Sequence, residues 1–165
     1  MTDTPPGGTL VDSNVLLDLF TEDRTWLAWS QAALATAFDV GPVLIDPIVY
    51  AEASVGFERI EELEDALPEQ IGREDLPWEA AFLAGKCFLE YRNRGGKRRS
   101  PLPDFYIGAH AVVTGRALLT RDASRYRTAL PTLTLISPPP HGGDTPMSVY
   151  PSKHGAGGES AYPDG

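Results

Sequence analysis

The chain is short of cysteine, histidine and positive charge, and each shortage narrows what it can do. Its single cysteine, Cys87, cannot form a disulfide within one chain, so a reducing compartment fits. Cys87 lies in an apolar helical pattern and reads as a small core residue. Two of the three histidines, His141 and His154, fall in the last 25 residues, which argues against His-based catalysis in the rest of the sequence. No stretch approaches roughly 18 apolar residues, so nothing reads as spanning a membrane. The opening MTDTPPGG has no basic region and no apolar run, so it does not read as a signal peptide. A cytoplasmic protein is expected. Fourteen Lys and Arg against 23 Asp and Glu give a net charge of −9, which disfavours non-specific adhesion to nucleic acid. An acidic chain still acts on a polyanion when its carboxylates hold metal and a local basic patch docks the backbone.

What is present is enough, at 165 residues, for one domain with a substantial core. Residues 1–8 read as a lead-in, 9–138 as the domain, and 139–165 as a flexible tail. From Pro138 to Gly165, twelve of 28 residues are Pro or Gly, too few apolar groups for a core of its own.

The chain is organised around TLVDSNVLLDLF, Thr9 to Phe20. A β-type run ends on Asp12 and is followed by Ser13-Asn14 and by apolar residues at helical spacing. An acid at the C-terminal tip of a buried parallel strand sits where open α/β sheets place their ligands. Asp12 also suits the plainer role of helix cap, and this segment alone does not choose between the two.

Further on, a helix over about Trp26–Ala37 places Trp26 and Trp29 on its apolar stripe, where both read as core. Val43–Ile45 reads as a second strand. Asp46-Pro47 then forms a strong helix start, a cap followed by a first-turn proline. In the helix IVYAEASVGF, Glu52 lies beside a stripe of Val49, Ala53 and Gly56, either as a core-edge glutamate with its head in water or as part of a site. Residues 58–75 carry eight acids, Glu74 among them, and read as a solvated helix face plus a loop. A long helix over about Trp78–Arg94 ends at Gly95-Gly96. Five of the fourteen Lys and Arg then fall within residues 92–99. Helix-dipole complementarity explains Arg92 and Arg94; a phosphate-contacting loop explains Lys97, Arg98 and Arg99 as well.

Asp104 opens a small-residue helix, in whose first turn a cap role alone would account for it. His110, inside that helix, reads as a packing or surface residue. Ala117–Thr120 reads as a third strand with Arg121-Asp122 at its tip, and Leu133–Ile136 as a fourth. The order β-α-α-β-α-α-α-α-β-β implies an open, mostly parallel sheet of four to five strands covered by helices on both faces, a three-layer α/β/α domain.

In such a sheet the strand C-termini share one edge. Asp12 and Asp122 end strands, while Glu52 and Asp104 sit in early helical turns that can face that edge. Each acid has its own local explanation; convergence of four is harder to explain that way. Four carboxylates within a few ångströms need a counter-charge. An all-oxygen set selects Mg²⁺ or Mn²⁺ over Zn²⁺. Such ions suit phosphodiester hydrolysis. Asn14 and Thr120 are placed to orient water or to hydrogen-bond the ligating acids.

The chain resembles the PIN-domain nucleases, and within them the VapC-type toxins of toxin–antitoxin pairs. The resemblance covers about Leu10–Pro138 and is carried by VDSNVLLDLF, PIVYAE, LPDFYIGAHA and LLTRD, in that order. It places the family's acidic residues on Asp12, Glu52, Asp104 and Asp122, with Asp12 and Asp104 the firmest metal ligands. It implies a Mg²⁺-dependent endoribonuclease acting on structured or transfer RNA, a homodimer, and a cognate antitoxin that blocks the site. The Pro/Gly tail is outside the family pattern.

Three rivals remain at this stage. A phosphatase with an aspartyl nucleophile would want a second acid two residues after Asp12, where the chain has Asn14. A catalytically inactive module of the same fold would use the basic loop to hold RNA or a partner. A DNA nuclease would want a groove-reading element that the sequence does not offer; looped or single-stranded RNA suits a shallow cleft beside a basic loop better.

Overall fold

A computed structural model describes residues 7–140. Of the expected lead-in (1–8) residues 1–6, and of the expected tail (139–165) residues 141–165 with His141 and His154, lie outside the described residues.

Five short parallel strands form one sheet in the order β3-β2-β1-β4-β5. They are β1 (Thr9–Val11), β2 (Val43–Ile45), β3 (Gly72–Arg73), β4 (Ala117–Leu119) and β5 (Leu135–Ile136). Among the described residues seven helices flank them: α1 (Ser13–Phe20), α2 (Leu27–Val40), α3 (Pro47–Ser54), α4 (Ile60–Ala66), α5 (Trp78–Asn93), α6 (Pro103–Thr114) and α7 (Ser124–Arg127). The architecture is three-layer α/β/α, as expected from the sequence. Two details of the element order are corrected. A strand, β3, sits inside the acid-rich stretch read as helix and loop. A one-turn helix, α7, separates the last two strands.

The core follows from the apolar runs. Leu10, Val11, Leu118 and Leu119 on the two central strands are fully buried, as are Val15, Leu16 and Ile107 from the covering helices. Each such side chain contributes about 1.5–3 kcal/mol relative to exposure. The strand order puts the topological switch at β1. The chain steps outward to β2 and β3, then returns to β4 on the other side. Open α/β sheets bind ligands in the crevice at that point. Here it lies beside Asp12 and Thr120, the residues that follow β1 and β4.

Two helix starts are built as the sequence suggested. Asp12 Oδ1 accepts the Ser13 amide at 2.8 Å and caps α1. Asp46 Oδ1 accepts the Val49 amide at 2.9 Å and caps α3, with Pro47 leading the helix. Trp26 is half-buried at the N-cap of α2 and not in the core, with the Arg121 guanidinium 5.5 Å from its ring centre. Trp29 packs against the core from its partly buried position.

Glu74 is the largest departure from a solvated face. Its carboxylate accepts two bonds from Arg116, each 2.8 Å, and lies 3.1 Å from His110 Nε2. His110 is fully buried, with Nδ1 2.9 Å from Asp46 Oδ2. Arg116 Nη1 also donates to the Gly7 carbonyl at 3.2 Å. This network ties the end of β3 to the start of β4 across β2 and β1.

Gly108 on α6 admits α7 and the loop behind it. A methyl group there would overlap the Leu130 side chain and meet the Tyr126 ring at 3.0 Å. Gly108→Ala is expected to destabilise the fold by about 1–3 kcal/mol through overpacking, read as a lowered midpoint in urea unfolding.

Bonding to Arg116 holds the Glu74 carboxyl below its ordinary range, against the opposing effect of burial. A depressed native value adds stability above the unfolded-state range, and that stability is lost as pH falls through the native value. Melting temperatures of wild type and Glu74→Gln should therefore differ most near about pH 7 and converge toward about pH 3. A gap that widens in acid would contradict the ion pair's stabilising role.

Candidate functional site

The crevice beside β1 and β4 is built around Asp12, 3% exposed. Its Oδ2 accepts from the Tyr126 hydroxyl at 2.7 Å, from Thr120 Oγ1 at 2.8 Å and more distantly from Asn14 Nδ2 at 3.4 Å. With Oδ1 committed to the Ser13 amide, the buried carboxylate is fully served by donors. Asn14 and Thr120, expected to orient the acids, are interlocked. Asn14 Nδ2 donates to Thr120 Oγ1 at 3.2 Å, and Asn14 Oδ1 accepts the Arg121 amide at 3.1 Å.

The other three acids reach Asp12 through shared neighbours. Glu52, on α3, accepts from Ser13 Oγ at 2.7 Å, and the same hydroxyl lies 3.4 Å from Asp12 Oδ1. Asp104, in the first turn of α6, lies 3.5 Å from the Tyr126 hydroxyl that donates to Asp12. Asp122, just beyond β4, has its amide bonded to Thr120 Oγ1 at 3.1 Å and accepts from Ser124 Oγ at 2.6 Å. Arg125 joins the last two acids. Its Nε is 2.7 Å from Asp122 Oδ2, and its Nη1 is 3.6 Å from Asp104 Oδ2. Four acids from four separate segments are thus linked through shared neighbours.

They are not packed carboxylate against carboxylate, and here the sequence expectation is corrected. Among the described residues, no three His, Cys, Asp or Glu side chains stand together as a ready metal cage. The physical reason is visible in what lies between them. The Ser13 hydroxyl, the Tyr126 hydroxyl and the Arg125 guanidinium each occupy a gap between two acids and relieve their repulsion. The relief is incomplete. Burial, then the Asp12 and Asp122 charges, push the Asp104 carboxyl above its usual range despite Arg125 and Tyr126. Burial, with Asp12 and Asp104 adding to it, likewise pushes Glu52 up despite its bond from Ser13. Burial raises the Tyr126 phenol, and the neighbouring acids raise it further, so it stays a neutral donor. The side-chain atoms here able to ligate a metal are carboxylate and hydroxyl oxygens, with no thiolate or imidazole, a set that suits a hard divalent cation better than zinc.

Ser13, Arg125 and Tyr126 were not singled out in the sequence. A signal for the last two was there: Asp122, Arg125 and Tyr126 stand at i, i+3 and i+4, the spacing of one helical turn. The Lys97, Arg98 and Arg99 run lies on an exposed loop after α5, and Arg92 Nη1 donates to the Arg98 carbonyl at 2.7 Å, holding the loop to that helix.

A family model described as PIN domain matches residues 9–130. The chain belongs to the PIN-domain family. A search of curated proteins returns no match. Among solved structures, the VapBC2 complex of Rickettsia felis bound to a promoter DNA fragment is similar to this PIN domain with a TM-score of 0.62 at 18% identity, covering 78% of this chain and 97% of the other. A toxin–antitoxin complex of Klebsiella pneumoniae is similar at TM-score 0.58 and 22% identity, covering 78% and 96%. VapBC-1 of nontypeable Haemophilus influenzae is similar at 0.57 and 17%, with the same coverage. At these identities the likeness is one of fold. The matched span of the PIN domain contains all four acids with Ser13, Arg125 and Tyr126.

Tyr126→Phe keeps the ring that fills the core and removes the nearest side-chain donor to Asp12. The expected cost is about 1.5–3 kcal/mol, the range for a hydrogen bond to a charged acceptor. Chemical unfolding at neutral pH measures it; unchanged stability would show that Thr120 and Ser13 alone satisfy the carboxylate.

Proposed function

We propose that this PIN domain is a metal-dependent endoribonuclease and the toxin of a toxin–antitoxin pair, working in the cytoplasm. The observation that carries the reading is the web of Ser13, Thr120, Arg125 and Tyr126 that holds Asp12, Glu52, Asp104 and Asp122 around one crevice at the sheet's switch point. Isolated caps or surface acids would have no reason to share these bridging groups. The family and the toxin–antitoxin complexes of similar fold agree with it. The toxin–antitoxin complexes of similar fold support a cognate antitoxin as partner; the proposal adds a second copy of the chain as partner and RNA, including transfer RNA, as substrate.

In this reading Asp12 and Asp104 are the principal ligands of Mg²⁺ or Mn²⁺, and Glu52 and Asp122 complete the acidic set. When bound, the ion supplies a water of lowered pKa and neutralises charge on the leaving oxygen. The chain's own residues do the rest. Asn14 and Thr120 fix the Asp12 carboxylate, Tyr126 keeps its buried oxygen oriented, and Ser13 steers Glu52. Arg125 is an exposed guanidinium bonded to Asp104 and Asp122, and Lys97, Arg98 and Arg99 offer an RNA backbone its electrostatic footing.

The second reading is a catalytically inactive module that binds RNA or a partner. It draws on one observation: Arg125 already neutralises two of the acids. Chemistry separates the two. With Mg²⁺ or Mn²⁺ the protein is expected to cut RNA, excess EDTA to stop it, and Asp104→Asn to lower the rate at least about 100-fold, the usual scale for losing an electrostatic stabiliser. Cleavage unaffected by EDTA rules out the metal mechanism; binding without cleavage favours the module.

Replacing Lys97, Arg98 and Arg99 together by Ala is expected to weaken RNA binding and flatten its salt dependence. Single-stranded nucleic acid gives a logarithmic slope of about −0.7 per phosphate contact, so the slope should fall by roughly 2. An unchanged slope would remove these residues from the RNA interface.

A further inference from the structure

A cleft of about 400 Å³ opens on the far side of Arg125 from Asp122, between the end of α5, the start of α6 and the segment after α7. Its size falls within the roughly 300–1,000 Å³ of small-ligand pockets. The rings of Tyr91 and Phe105 line it and meet edge to face, centres 5.9 Å apart at 61°, and Cys87 lines it as well. Tyr91 is held from below by Phe88, stacked at 6.4 Å and 25°, and from the side by the backbone of Gly96. No side chain fits at residue 96, because a methyl group there would overlap the Tyr91 ring. The glycine that ends α5 therefore also lets this ring lie against the root of the basic loop.

Charge is distributed to match. No carboxylate lines the cleft of a chain whose net charge is −9. Arg94 and Arg125 both line it. Among the described residues Arg94 forms an ion pair with Glu90 alone, at 3.5 Å on the surface, and its Nε donates to the Glu90 carbonyl at 3.4 Å; a phosphate can replace the ion pair at little cost. Arg125 leads directly to Asp104 and Asp122. An aromatic surface beside guanidinium groups is how proteins hold an unstacked base with its flanking phosphates.

We propose that the Tyr91–Phe105 cleft seats one base of single-stranded or looped RNA, next to the phosphate presented to the acids. The proposal rests on the nuclease reading and adds to it a base-binding position that fixes where the strand lies. The basic loop and Arg125 then hold the backbone on either side of that base.

The test uses the full-length protein in excess chelator, so that RNA stays intact, and a fluorescein-labelled single-stranded RNA of about ten nucleotides. Tyr91→Ala and Thr128→Trp, the latter filling the cleft from an exposed position at its rim, are expected to weaken binding about tenfold, the scale of one lost base stack. The salt slope should not change, because no phosphate contact is removed. Tyr91→Phe should bind within about twofold of wild type. RNAs carrying a single abasic nucleotide at successive positions should lose affinity for wild type at one position only. Thr128→Trp should be indifferent to that position. If wild type binds and cuts RNA while Thr128→Trp binds equally well, the base seat is refuted and the nuclease reading stands. That result would leave the cleft to a peptide segment. A loss accompanied by a shallower salt slope would assign the cleft to phosphate and overturn the proposal. If wild type neither binds RNA nor cuts it with Mg²⁺, both readings fall together.

Discussion

The structure depends on one buried carboxylate. Placing Asp12 at the end of a central strand withdraws a charge from water, a step that costs several kcal/mol unless the protein replaces the lost hydration. The replacement comes from four directions: the first amide of α1, the Thr120 hydroxyl after β4, the Tyr126 hydroxyl on α7 and the Asn14 amide. Each donor fixes an element as well as a charge. The first sets where α1 starts, the second locks β4 beside β1, and the third draws α7 onto α6 at Gly108. The crevice and the core are therefore specified by overlapping sets of residues.

The groups that stand between the acids explain why these come close without touching. Bringing Glu52, Asp104 and Asp122 into direct contact with Asp12 would add repulsion that the hydroxyls of Ser13 and Tyr126 and the Arg125 guanidinium now absorb. The upward push on Asp104 and Glu52 is the part of that repulsion left over. A polar web of this kind holds its members in one arrangement and keeps the site negative on balance.

How much of this could be read in advance follows from length and periodicity. β1, β2, α3 and α6 announce themselves through buried apolar runs and strong starts such as Asp46-Pro47. β3 does not, because it has two residues, lies at the sheet edge beyond β2, and is embedded among acids. Glu74 was read as solvated for the same reason; its partner Arg116 is 42 residues away. α7 has four residues, below the length at which helical periodicity registers, and so Arg125 and Tyr126 escaped notice. His110 was read as a packing or surface residue and is buried, although nothing local foretold its place between Asp46 and Glu74. The four acids were singled out through sheet topology, which places strand ends on one edge, and the structure links them through shared neighbours. Beyond the short spacing of Arg125 from Asp122, the contacts that bridge them leave no local trace, since the partners of the Tyr126 hydroxyl lie 22 and 114 residues away.

The strand order also bears on the chain's own synthesis. β1 is made first, yet its neighbour β4 and the Thr120 that serves Asp12 come 108 residues later. Pairings of such long range form only once both segments are free to meet. A nascent polypeptide emerging from the ribosome thus carries Asp12 and Glu52 for most of its translation with no assembled centre. On the nuclease reading, the cell is spared cleavage by unfinished copies, because the centre closes only when the last fifth or so of the domain has emerged.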